Sequence, residues 1–98
     1  MSRIEVDAYV IDTLMADLVG HDRQPSAFLV YLYLWRHTLG AGKETVQVSL
    51  HDLSSGTGLS KRAVQEALQW LTKRRVLSIQ RAGITAIPVY AVKRTWTR

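Results

Sequence analysis

The sequence predicts an α+β fold that is mostly helical, and three observations carry that expectation. Apolar residues recur at helical spacing over residues 5–19, 26–38 and 61–75. After Arg75 the period changes to two, with a glycine-bearing turn between two apolar runs. Between the second and third helical patterns lies Ser49-Leu50-His51-Asp52, a capping-box variant, followed by Gly56 and Gly58.

In the first helix, predicted over 5–19, Val6, Val10, Leu14 and Leu18 fall four apart, with Ile11 and Met15 beside them. Asp7, Asp12 and Asp17 lie mostly on the other side. Asp7 is an alternative N-cap, which would start the helix at Ala8. Gly20 is expected to end it, leaving residues 20–24 as a polar loop. Pro25 and Ser26 open the second helix, since the missing proline N–H has no helical partner in a first turn anyway. That helix is predicted to run to about Thr38 and stop at Gly40. Phe28 to Trp35 make it apolar nearly all round, so it belongs at the centre of the molecule or in a subunit interface.

Thr45 to Ser49 alternates and reads as a short strand. Ser49 then caps a brief helix whose Leu50 and Leu53 face the core and which Ser54 to Gly58 are expected to break. Ser60 is the N-cap of the helix that organises the chain. Its Val64, Leu68 and Leu71 form a buried stripe with Ala63 and Ala67 alongside. Lys61, Arg62, Gln65, Gln69 and Lys73 occupy the opposite face. Val76, Leu77 and Ile79 lead through a turn at 82–85 to a second strand at 87–93, and 46–48 offers a third. Pro88 cannot donate to a ladder and is expected at an edge or near the hairpin tip. Residues 94–98 read as a basic tail, free to fray, that carries Trp96. Trp35 is assigned to the core, Trp70 to packing, and Tyr90 to the sheet.

The 98 residues suffice for one domain, 47% of them are hydrophobic, and there is no cysteine to make a disulfide or thiolate site. The N-terminus lacks a charged-then-apolar leader, and the longest apolar run, Ala27 to Trp35, is too short to cross a bilayer. A cytoplasmic chain without membrane contact is the expectation. Net charge is +5 and unevenly placed: residues 1–30 carry five acidic and two basic side chains, residues 31–98 three acidic and eleven basic. Such a basic two-thirds points to a polyanionic partner. Gly40-Ala41-Gly42-Lys43 fails as a phosphate-binding loop, because His37 and Glu44 stand where that motif needs Gly and Ser or Thr. His21, His37 and His51 lack metal-ligand spacing, and Ser54 and Ser55 lack a nucleophile elbow, so no enzyme, cofactor, metal or small-molecule ligand is expected.

The run from Ser49 to Leu77, SLHDLSSGTGLSKRAVQEALQWLTKRRVL, resembles the winged helix-turn-helix superfamily. It is similar to the cores of bacterial GntR-type and MarR-type regulators and of replication-initiator-like proteins. Leu59-Ser60, Val64 and Ala67-Leu68 match the recognition-helix run; Arg75, Leu77 and Ile79 match the lead into the wing. The resemblance covers residues 26–94 and implies a winged helix-turn-helix with an extra N-terminal helix at 5–19 and a C-terminal hairpin wing at 77–93. One departure is Arg74-Arg75-Val76, where such proteins usually place Gly before the first wing strand.

The resemblance implies sequence-specific binding of double-stranded DNA by a small bacterial transcription regulator, with helix 61–75 in the major groove. Lys61, Arg62, Gln65 and Gln69 are the candidates for base edges or adjacent phosphates, and Ser60 at the helix N-terminus suits a phosphate. Lys73, Arg74 and Arg75 supply attraction without sequence preference, while Arg81 and Thr85 reach the minor groove or the backbone. Pairing as a homodimer is implied, with the acidic first helix as the candidate element. The rival is a winged-helix protein-interaction module in a larger replication or partition assembly; RNA binding is disfavoured, because no sheet-borne aromatic pair is present. On the DNA reading Arg62→Ala weakens a preferred site far more than random duplex in a titration of both. Equal losses would exclude base reading by Arg62.

Overall fold

The computed structural model describes residues 2–96. It is α+β and mostly helical: an N-terminal helix at 8–21, α1 (Pro25–His37), α2 (Leu50–Thr57), α3 (Lys61–Lys73) and a three-stranded antiparallel sheet of β1 (Val46–Gln47), β2 (Leu77–Gln80) and β3 (Val89–Val92).

The central element is α1. It buries Ala27, Phe28, Val30, Tyr31, Leu34 and Trp35, and it contacts the N-terminal helix, α2, α3 and β3. Its polar needs are met inside the core. Thr38, fully buried at the end of α1, donates its hydroxyl to Leu34 O at 2.7 Å, and its carbonyl accepts from the Ala41 and Lys43 N–H groups at 2.9 Å. The tyrosine hydroxyl of Tyr31 donates to Lys93 O at 3.2 Å, and Trp35 Nε1 donates to Glu5 O at 2.7 Å. Burial raises the Tyr31 hydroxyl pKa well above its ordinary value, with Asp7 adding in the same direction, so it stays a donor.

The N-terminal helix starts at Ala8, the boundary given by the Asp7 alternative, although the Asp7 carboxylate accepts from Trp96 Nε1 in the C-terminal segment. It departs from expectation in two ways. It passes through Gly20 and ends at His21. Most of it is π-helical, closed by bonds five residues apart such as Met15 N–H to Val10 O and Asp22 N–H to Asp17 O. Val10, Leu14 and Leu18 are still the buried stripe, because a spacing of four suits either the 3.6-residue turn or the wider one.

The capping box before α2 forms as read: Asp52 N–H donates to Ser49 Oγ at 3.0 Å and Ser49 N–H to Asp52 Oδ2 at 3.4 Å. Ser54 to Gly56 do not break α2, which continues to Thr57 and stops at Gly58 in the left-handed region (φ 78°). Gly56 lies inside the helix because the Tyr33 ring covers it; a Cβ there would run into Tyr33 Cε2. At the far end, α3 stops at Lys73, two residues short of the expected boundary. Arg75 takes a left-handed conformation (φ 63°), with Arg75 N–H bonded to Thr72 O and Val76 N–H to Leu71 O. This is a Schellman stop with arginine where glycine is usual, sealed by the buried pair Leu71 and Val76.

Both arms of the hairpin form, and the third strand joins them in the order β1-β3-β2. Tyr90, fully buried, faces Val46 on one side and Ile79 on the other. The second arm is shorter than read, because Pro88 cannot donate to a ladder with neighbours on both sides; β3 begins at Val89. The C-terminal segment is not frayed at Trp96, which stacks on Tyr9 (centroids 4.6 Å apart) and donates Nε1 to Asp7 Oδ2 at 3.2 Å. Residues 97 and 98, and with them the Arg98 end of the basic tail, lie outside the described residues.

Two substitutions test these backbone assignments. Arg75→Gly relieves a side chain held at positive φ and should raise stability by about 0.5–1 kcal/mol, read as a higher urea midpoint at unchanged slope. Gly56→Ala should lower it by about 1–3 kcal/mol, because Tyr33 must move.

Candidate nucleic-acid interface

The site is built on α3. Ser60 Oγ accepts from the Ala63 N–H at 3.1 Å, as an N-cap should. Val64, Ala67, Leu68 and Leu71 are buried against the core, which turns Lys61, Arg62, Gln65, Gln69 and Lys73 outward. All five are exposed, as are Ser60, Arg81 and Thr85. Arg62 is paired within its own helix: its Nε lies 3.2 Å from Glu66 Oε1, and its side chain is still 89% exposed. Such a pair is held weakly, since water solvates both partners.

Gln65, Gln69, Lys73 and Arg81 line one groove of about 700 Å³, floored by Leu68, Thr72 and Ile79. Two amides and two cations therefore share a concavity between α3 and the hairpin. Each amide can donate and accept, Arg81 offers a planar fork, and Lys73 a mobile point charge. Lys73 Nζ also sits 5.5 Å from the centre of the Trp70 ring. Ser60, Lys61 and Arg62 continue the surface toward the start of α3. There helix geometry leaves orphan N–H donors and a positive dipole end, both suited to an anion.

Arg74 does not join this groove. Its guanidinium Nε lies 3.0 Å from Asp22 Oδ2, and a terminal nitrogen lies 3.9 Å from Asp17 Oδ2. Trp70 Nε1 donates to the same Asp22 oxygen at 2.8 Å, and His21 Nδ1 lies 2.8 Å from the other. The Asp22 side chain is only 4% exposed. Burial pushes its carboxyl up, but the hydrogen bonds from His21 and Trp70 and the charges of Arg74 and His21 outweigh that. They hold it below the ordinary carboxylate value. This clamp fastens the N-terminal helix to the end of α3 and is not among the features predicted from the sequence. The available signal was the opposite charge of the two parts of the chain.

Thr85 sits apart from the groove, in the connection between β2 and β3 beside Ile84. Among the described residues no group of three His, Cys, Asp or Glu side chains could hold a metal ion, and no helix is long and apolar enough to cross a membrane. No protein family, curated protein or solved structure matches this chain.

The clamp makes a pH prediction with a definite sign. A carboxyl depressed in the folded state adds stability above its unfolded value of about 3.9, and this is lost as pH falls through the folded value. Urea melts should therefore show stability dropping below about pH 4, and Asp22→Asn should flatten that acid limb. The same variant should cost about 1–3 kcal/mol at pH 7, because Arg74 and Trp70 lose a charged acceptor.

Proposed function

We propose that this protein is a winged helix-turn-helix module that binds double-stranded DNA, with α3 in the major groove and the hairpin on backbone or minor groove. The observation that carries the reading is the groove in which Gln65, Gln69, Lys73 and Arg81 meet, continuous with Lys61 and Arg62 along one face of α3. Amides and a guanidinium on an exposed helix face are the groups that read base edges, and neighbouring cations hold phosphates. The helix-turn-helix layout supports it as well: α2, the short turn through Gly58 and Leu59, and α3, with the β2–β3 hairpin following.

The biological role we infer is a small bacterial transcription regulator acting in the cytoplasm as a homodimer. The N-terminal helix is the pairing element on this reading: Ile11, 48% exposed, and Val19 lie away from the stripe that packs on α1. Those apolar side chains also favour the second reading, a protein-interaction module in a larger assembly. Retention on heparin with a mobility shift of random duplex supports DNA binding; failure of both leaves the interaction module. On the DNA reading Arg74 orients α3 and does not touch phosphate, and catalysis has no part.

Glu66 gives a sharper test, because it is the one acidic side chain on the exposed face of α3. An exposed helical pair holds Arg62 by about 0.2–1 kcal/mol, so Glu66→Gln should tighten duplex binding by about 1.4- to fivefold. The steep salt dependence of binding should persist in the variant. Unchanged or weaker binding would remove Arg62 from the interface.

A further inference from the structure

Ile84 is 96% exposed, and Ile87 in the same connection is 49% exposed. Ile84 is not on a loose end. Ala86 N–H donates to Gly83 O at 3.2 Å, which closes a four-residue turn with Ile84 and Thr85 at its two corners. The returning arm is tied to β1, since Gln47 Nε2 donates to Ile87 O at 3.3 Å. A bulky β-branched side chain is thus held at the apex of the hairpin, covered by almost nothing of its own molecule.

The chemistry around it is one-sided. The hairpin, residues 77–93, has no Asp or Glu and carries two cations, Arg81 and Lys93. Arg81, at the base of the connection, also lines the groove of Gln65, Gln69 and Lys73. One side chain therefore joins the apolar apex to the candidate interface. An apolar group presented on an acid-free basic arm fits a ligand that is polyanionic outside and apolar between its layers. Stacked base pairs have that character, and isoleucine is among the side chains that wedge between base steps from the minor groove.

We infer that Ile84 is a minor-groove wedge: as α3 lies in the major groove, the hairpin apex enters the adjacent minor groove and Ile84 parts a base step. The duplex is then kinked and untwisted, most readily at a pyrimidine–purine step. This rests on the DNA-binding reading above. An anionic lipid surface would also accept a basic arm with an apolar tip. The duplex is favoured because the Gln65 and Gln69 amides, set beside Arg81, have no counterpart in lipid recognition.

The test uses the full chain and two probes: a random-sequence duplex of about 150 bp, near one persistence length, and a closed circular plasmid. Ring closure by ligase and linking number after topoisomerase relaxation are compared for wild type, Ile84→Ser and Ile84→Leu, with a mobility shift of the same duplex as the binding control. Expected are faster ring closure and a shifted linking number with wild type, loss of both with Ile84→Ser at retained binding, and rescue by Ile84→Leu. Binding by wild type with neither effect, or both effects undiminished in Ile84→Ser, overturns the wedge and leaves DNA binding standing. No shift of duplex by wild type overturns both, and binding to phosphatidylserine vesicles that Ile84→Ser abolishes would assign the tip to lipid. Unchanged circular dichroism of the exposed-site variants keeps misfolding out of the comparison.

Discussion

The need to enclose α1 places everything else. Eight consecutive apolar residues, Phe28 to Trp35, give a helix with almost no face that water can solvate cheaply. In so short a chain that surface is covered only if each other element contributes its own apolar side. The N-terminal helix brings Val10, Leu14 and Leu18, α2 brings Leu53, and α3 brings Val64, Ala67, Leu68 and Leu71. The sheet brings Tyr90 and Val92. Once α3 has given its apolar stripe to the core, the orientation of Lys61, Arg62, Gln65, Gln69 and Lys73 is no longer free. The candidate interface is the remainder of a packing problem.

Charge is distributed by the same geometry. The acidic N-terminal third does not spread over the basic surface; it binds selected parts of it. Asp22 and Asp17 take Arg74, and Asp7 takes Arg94 and Trp96 Nε1. These contacts lie at the far end of α3 from Ser60 and at the C-terminal segment. The groove between α3 and the hairpin keeps Lys73 and Arg81. Acid and base therefore divide between holding the fold together and presenting a cationic surface. Asp22 is central to the first task, because a nearly buried carboxylate is tolerated only when its oxygens are filled by His21, Trp70 and Arg74.

What the sequence disclosed follows from the range of the interaction concerned. Capping by Ser49, Asp52 and Ser60, the proline start of α1 and the glycine stop at Gly58 depend on neighbours a few residues away, and all could be read directly. The buried stripe and exposed face of α3 were equally legible, since helical spacing alone separates them. Gly56 was misread as a breaker because its cause is Tyr33, more than twenty positions earlier. Arg75 gave no sign of a left-handed backbone, since only glycine advertises that conformation. The π turns of the N-terminal helix were hidden by a four-residue repeat that both helix types accept. Trp96 and Arg74 looked like free surface because their partners, Asp7 and Asp22, are distant in sequence. The groove joining Gln65, Gln69, Lys73 and Arg81 needed the sheet to be built before it existed.

The turn between α2 and α3 adds a requirement that no exposed residue reveals. Ser54 Oγ donates to Leu59 O at 2.6 Å, Thr57 Oγ1 donates to Leu53 O at 2.6 Å, and Leu59 N–H donates to Thr57 Oγ1 at 3.2 Å. Three hydrogen bonds, made by side chains outside the candidate groove, set the path of the chain across Gly58. Tyr33, seated against Gly56, sets how closely α2 approaches α1. Together these contacts tie the turn before α3 to α2, and α2 to α1. On the proposed DNA reading, a helix that reads base edges must hold its side chains within a fraction of an ångström of their partners, and a firm support serves that end. The Ser54 and Thr57 hydroxyls, read from the sequence as part of a helix break, make the hydrogen bonds that shape the turn into α3.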